Sequence, residues 1–167
     1  MGFEVQLFEP WLSRAPPEGG SEEVALAALR STDAHVHGEL MIIVDGARVP
    51  HLGFFGPRGV CVGTWLRELT SARQLLAVKD GACHLFDEGE QGQPAFQFRR
   101  VGDRVDVSVL DSEMSDGVGD SEWGTRSCTL AEFDAGIAAF VAELASILDE
   151  AAPGVGRLWV QRHGNSG

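Results

Sequence analysis

The chain has 167 residues, of which 44% are hydrophobic, and carries 25 Asp+Glu against 13 Lys+Arg, a formal charge of -12. One domain of this length buries about 70% of its unfolded surface and folds without disulfides or metal. The charge excludes a nucleic-acid backbone and an anionic membrane surface as partners, because phosphates need clustered bases.

The excess is uneven. Residues 1–83 hold 10 acids and 7 bases, and residues 84–167 hold 15 acids and 6 bases, so the net charges are -3 and -9. Lys79 is the one lysine beside twelve arginines, and tyrosine is absent, the bias of a GC-rich bacterial genome. The first residues show no basic-then-apolar leader, and no apolar run reaches 18 residues. Cys61, Cys83 and Cys128 have no metal-ligand spacing. A cytoplasmic protein with reduced thiols and no cofactor is expected.

Residues 3–7 alternate apolar and polar, which predicts a half-buried strand. Pro10 and residues 15–20 predict a loop. Ser21, Glu22 and Glu23 suit the start of a helix running to about Arg30. A strand at 39–44 is followed by Asp45-Gly46, a hairpin signal, and by a short edge strand at 47–49 ended by Pro50. The run from Met41 to Val44 predicts a strand covered on both faces. Residues 51–57 form a glycine-rich aromatic turn containing Phe54 and Phe55.

Thr64 starts a helix with Trp65, Leu66, Leu69, Ala72, Leu75 and Leu76 on one stripe, closed by Asp80-Gly81. Strands follow at 82–86, 94–100 and 104–110, the last alternating Val105, Val107 and Val109 with polar residues. Residues 111–128 read as a long acidic loop. Thr129 and Glu132 make a capping box for a long amphipathic helix that Pro153-Gly154 stops.

The predicted order is β–α–β–β–α–β–β–β–α. It specifies a single α+β domain with an antiparallel sheet of five to six strands in hairpins, and helices mainly on one face. Its parts are a strand and helix at 1–38, a core at 39–110, the acidic loop at 111–128, a helix at 129–152 and a tail at 153–167.

Asp33-Ala34-His35-Val36-His37 resembles a strand-borne His-x-His metal motif, but the residues before it read as a helix end, so a polar turn without metal is expected. Residues 111–122 approach an EF-hand loop, yet Asp116 stands where the sharp turn needs glycine. Cys61, between Gly59-Val60 and Val62-Gly63, reads as a buried inert thiol. The alternative is an enzyme or small-ligand site built from Cys61 and His84 near Phe54.

The second half suggests a binding surface. Glu88, Glu90, Asp111, Glu113, Asp116, Asp120 and Glu122 surround Trp123 in the sequence. An aromatic anchor among carboxylates suits a basic protein partner. The other readings of these residues are a solvated acidic loop and a Trp123 folded back onto the sheet. A further alternative is a structural subunit that pairs with itself or another chain through a sheet edge or the 53–63 region.

The run of residues 86–98, with Val107-Ser108-Val109-Leu110-Asp111-Ser112 and Trp123, resembles small acidic bacterial proteins encoded beside toxin genes. The resemblance spans roughly residues 64–150. In size, acidity and architecture the chain is similar to polymorphic-toxin immunity proteins. That resemblance implies a non-enzymatic inhibitor of a basic toxin or nuclease, and it transfers no functional residues.

Overall fold

The computed structural model describes residues 2–54 and 56–165. It is α+β, with two antiparallel sheets and three α-helices.

The first strand, β1 (Phe3–Arg14), turns Phe3, Val5 and Leu7 inward and Glu4 outward, as its alternation predicts. It continues past Pro10, where a loop is expected, through an irregularity between Phe8 and Trp11, where Glu9 takes a φ of 47°, and it ends at Arg14 before the expected loop at 15–20. Pro10 is tolerated there because the bulge needs no ladder donor from it.

The helix expected at 21–30 is absent. The segment forms β2 (Glu22–Val24), paired with Leu12, Ser13 and Arg14, and then a 3-10 turn at Leu26–Ala28. So short a helix is marginal by itself. The end of β1 supplies a ladder, and Arg14 adds an ion pair to Glu22 at 2.9 Å. Leu29, fully buried, anchors the segment to the core.

Strand β3 (His35–Val44) begins four residues earlier than predicted. Val36, Leu40, Ile42 and Val44 are buried, while Met41 and Ile43 on the opposite face remain partly exposed, so β3 is not covered on both faces. Asp45 and Gly46, both at positive φ, turn the chain into β4 (Ala47–Arg48), as the Asp-Gly signal requires. Strand β5 (Val60–Cys61) pairs with His37 and Gly38. The first sheet has the order β2-β1-β3-β4, with β5 also on β3.

Helix α1 (Val62–Val78) buries Trp65, Leu66, Leu69, Ala72 and Leu76, the predicted stripe except Leu75 at its exposed margin. Arg100 closes its end by donating to the carbonyls of Leu76 and Ala77 at 2.8 and 3.1 Å, a cation at the negative end of a helix.

The second sheet runs in sequence order through β6 (Cys83–Phe86), β7 (Ala95–Val101), β8 (Arg104–Leu110) and β9 (Thr125–Thr129). The end of the expected acidic loop is therefore a strand. Its residues are mostly polar because β9 lies at an edge, and Cys128 alone is buried.

Helix α2 (Leu130–Ala151) starts at the predicted capping box. Glu132 Oε2 accepts the Thr129 N–H at 2.8 Å, and the Thr129 hydroxyl accepts the Glu132 N–H at 3.1 Å. Phe133, Ile137, Phe140, Leu144 and Leu148 are buried. The expected tail contains a further helix, α3 (Gly156–Gly164). Its Trp159 is fully buried, donates to the Ala34 carbonyl at 2.8 Å and stacks on His163. Helix α1 packs against β3 and β6, α2 against β1 and β9, and α3 against both helices. The helices thereby join the two sheets around one core. Among the described residues, no helix is long and apolar enough to cross a membrane.

Candidate functional site

The acidic residues of the second half lie on two loops, residues 87–94 after β6 and residues 111–124 after β8. Asp87 joins them. Its carboxylate accepts the Ser112 hydroxyl at 2.7 Å, the Glu113 N–H at 3.0 Å and the Gly89 N–H at 3.2 Å. Burial pushes this carboxyl up, but the Ser112 hydroxyl and the N–H groups of Gly89, Glu113 and Met114 outweigh it and hold the group below its usual range.

Other carboxylates of the long loop also turn to the backbone. Asp116 accepts the Gly92 N–H at 2.9 Å, and Asp111 accepts the Gly119 N–H at 2.7 Å. Asp120 accepts from Glu122 and Trp123, and its second oxygen lies 2.9 Å from His51 Nε2. The Trp123 N–H is the main cause of the lowered Asp120 pKa, followed by His51. Gly117 sits so close to the Gln93 carbonyl that a Cβ would overlap it. The long loop is thus fastened to its neighbour by hydrogen bonds, and Asp111, Asp116 and Asp120 each commit a carboxylate oxygen to that framework.

Glu88, Glu90, Glu113 and Glu122 are exposed, and like Asp111 and Asp116 they take part in no ion pair among the described residues. Burial pushes the Glu88 carboxyl up in pKa, and the charges of Glu90 and Glu68 push it further, against a hydrogen bond with Gln93. Although Glu88 is an exposed residue, packed atoms around its carboxyl deprive it of water.

Trp123 is not available as an aromatic anchor. It is only 8% exposed, and its indole N–H donates to the Val107 carbonyl at 3.1 Å. The Arg126 guanidinium lies 5.1 Å from the centre of its ring. An apolar ring with one donor satisfies both needs by lying against β8.

A cavity of about 250 Å³ separates Gly53, Gly56 and Gly59 from the 87–94 loop, with Phe54, Cys61, Trp65, Glu88, Glu90 and Gln93 on its walls. Phe55, paired with Phe54 in the sequence reading, lies outside the described residues. Cys61 and His84 each have another hydrogen-bond partner. The thiol accepts the Thr64 hydroxyl at 3.3 Å, while His84 Nε2 is held by Glu68 at 2.9 Å. A larger hollow of about 840 Å³ lies between α1 and the start of α2. Its Arg73 is held by Asp134 at 2.6 Å and its Arg100 by carbonyls, so both guanidiniums have partners.

His35 and His37 stand on β3 itself rather than in a turn. The His37 ring stacks on Trp11 at 4.8 Å, and burial is the main influence lowering its pKa. Among the described residues, no group of three or more His, Cys, Asp or Glu is placed to hold a metal ion. Cys128 is inert as a thiolate, because burial and then Glu132 push its pKa up to about 12.

The carboxylate-to-backbone framework has a sequence signal. Asp87 to Gly89, Ser112 to Met114, Ser115 to Gly117 and Asp120 to Glu122 all bond the N–H two residues ahead, as Asx and Ser turns do. No family model matches the chain, and no curated protein and no solved structure matches it.

Proposed function

We propose that this protein is a non-enzymatic acidic binding protein of the cytoplasm, an immunity-type inhibitor whose partner is a basic toxin or nuclease. The observation that supports this reading is the fastening of the two acidic loops into one surface by Asp87, Asp116 and the Gln93–Gly117 contact. A loop already held in place loses little conformational freedom on docking. Glu88, Glu90, Glu113 and Glu122, free of ion pairs among the described residues, face a basic partner without first breaking internal pairs. Such a surface steers a cationic protein and raises its association rate, an effect that salt screens.

The test is co-expression with the product of the neighbouring gene, followed by stopped-flow association of the purified pair. The expected result is relief of growth arrest and an association rate that falls steeply with salt. Glu88→Gln, Glu90→Gln, Glu113→Gln and Glu122→Gln together slow association and flatten its salt dependence. A complex that forms equally fast with all four neutralised removes the acidic surface as the contact.

Self-association is a second reading, favoured by one observation. The outer face of the first sheet leaves Phe8 exposed and Met41 and Ile43 partly so. Mass measurement in solution separates the two, since the inhibitor is expected as a monomer until its partner is added.

A further inference from the structure

The cavity between Phe54 and the 87–94 loop has walls of two kinds. Trp65, only 2% exposed, is held edge-on by Phe86 and Phe96 at centroid distances of 4.8 and 5.1 Å, which makes one side apolar and rigid. Phe54 is 47% exposed and its ring rests on the backbone of Gly92, where a Cβ would come within 2.9 Å of it. Glu88 and Glu90 lie on the same walls, together with Gln93, a polar residue only 6% exposed. No lysine or arginine lines the cavity among the described residues.

Two carboxylates on the walls of one recess repel each other, and a cation placed between them removes that repulsion. At about 250 Å³ the space is smaller than the roughly 300–1,000 Å³ of pockets that take drug-sized ligands. It suits one long basic side chain, whose methylene stem lies along apolar surface while its head meets carboxylates.

We propose that this cavity receives the guanidinium or ammonium end of one arginine or lysine side chain of the basic partner, with Glu88 and Glu90 as counter-ions and Phe54 and Trp65 along the stem. This rests on the binding function proposed above and names the group that enters. Glu113 and Glu122 then act by steering, outside the cavity.

Cys61 supplies the readout, because its partly exposed thiol lines the same cavity, while Cys128 is buried and Cys83 is exposed. In a Cys83→Ser background, iodoacetamide modification of Cys61 is followed by mass spectrometry. The probes are an end-blocked Gly-Gly-Arg-Gly-Gly peptide and its citrulline counterpart, which keeps the shape and loses the charge. The arginine peptide is expected to slow Cys61 modification severalfold and saturably, and the citrulline peptide to leave it unchanged. Glu88→Gln with Glu90→Gln raises the half-saturating concentration by roughly tenfold or more, as loss of partners for a desolvated charge does. Glu113→Gln with Glu122→Gln leaves protection intact.

Equal protection by both peptides, no protection by either, or protection that survives Glu88→Gln with Glu90→Gln overturns the proposal. If the double variant fails to fold, the arginine–citrulline contrast in the Cys83→Ser protein decides the matter. Failure here leaves the acidic surface to be judged by the salt dependence of partner association, which the Glu113 and Glu122 variants report separately.

Discussion

The Ser112 hydroxyl donates to the Asp87 carboxylate at 2.7 Å, across twenty-five residues of chain. With the N–H of Glu113 on the same carboxylate, this contact ties the turn after β6 to the turn after β8. The bond is stronger to the ionised form of Asp87, whose pKa is lowered on folding. A lowered carboxyl contributes stability that is complete above its unfolded value, about 4, and is lost as pH falls through the folded value. Asp120 and Asp134 share that sign. Stability to urea is therefore expected to hold from pH 7 to about 5 and to fall below about 4. Asp87→Asn is less stable at pH 7, and its curve converges on the parent's in acid. Coincident curves at pH 7 would show that the contact does not stabilise the fold, and an offset that persists in acid would show that its contribution does not depend on ionisation.

Glu88 carries the opposite sign. Its pKa is raised by burial and by Glu90, so its ionisation opposes folding and stability falls as pH rises through its folded pKa. Glu88→Gln is expected to melt no lower than the parent at pH 7. Glu90→Gln is expected to bring the Glu88 pKa down, followed by its side-chain carboxyl resonance. A Glu88 titration unmoved by Glu90→Gln would show that the two charges do not interact.

Gly117 is where the long loop meets the backbone of Gln93 and Pro94. An added methyl there strikes a main-chain carbonyl that has no rotamer to yield. Gly117→Ala is expected to cost about 1–3 kcal/mol, within the range for overpacking. Amide exchange is expected to accelerate in residues 87–93 and 111–119 before it does in α2.

Trp123→Phe removes the indole donor to the Val107 carbonyl and leaves the ring packed. A loss of about 1 kcal/mol in stability is expected from that hydrogen bond. Association with a partner is expected at the parent rate. A slower rate would mean that the indole reaches the interface after all.

Thr129→Ala removes the hydroxyl half of the capping box that opens α2 and leaves the residue 129 N–H on Glu132. Helix caps of this kind contribute about 0.5–2 kcal/mol, and a lower melting temperature of matching size is expected. Thr129→Ser keeps the hydroxyl and should restore most of it.

The features legible in the chain are those set by neighbours in sequence. Val105, Val107 and Val109 alternate, Asp45-Gly46 turns, and Thr129 and Glu132 cap, and each forms the expected element. Residues 21–30 misled, because the Ser21 cap and the Ala, Leu and Glu helix formers point to a helix, but one so short is marginal by itself. The ladder with Leu12, Ser13 and Arg14 decided for a strand. In the site, the acidic composition marked the two loops, and their Asx and Ser turns were open to reading. Their fastening depends on Asp87 and Gly92 meeting Ser112 and Asp116, which local spacing does not encode.

By itself the sequence determined the charge, its concentration after residue 83, the α+β class and the amphipathic faces of α1 and α2, because each follows from composition or from short-range periodicity. Tertiary structure alone decided which carboxylates the backbone engages. Asp111, Asp116 and Asp120 satisfy backbone N–H groups, while Glu88 and Glu90 are left beside Phe54 and Cys61. It also turned Trp123 inward, where β8 offered an apolar surface and a carbonyl for its one donor.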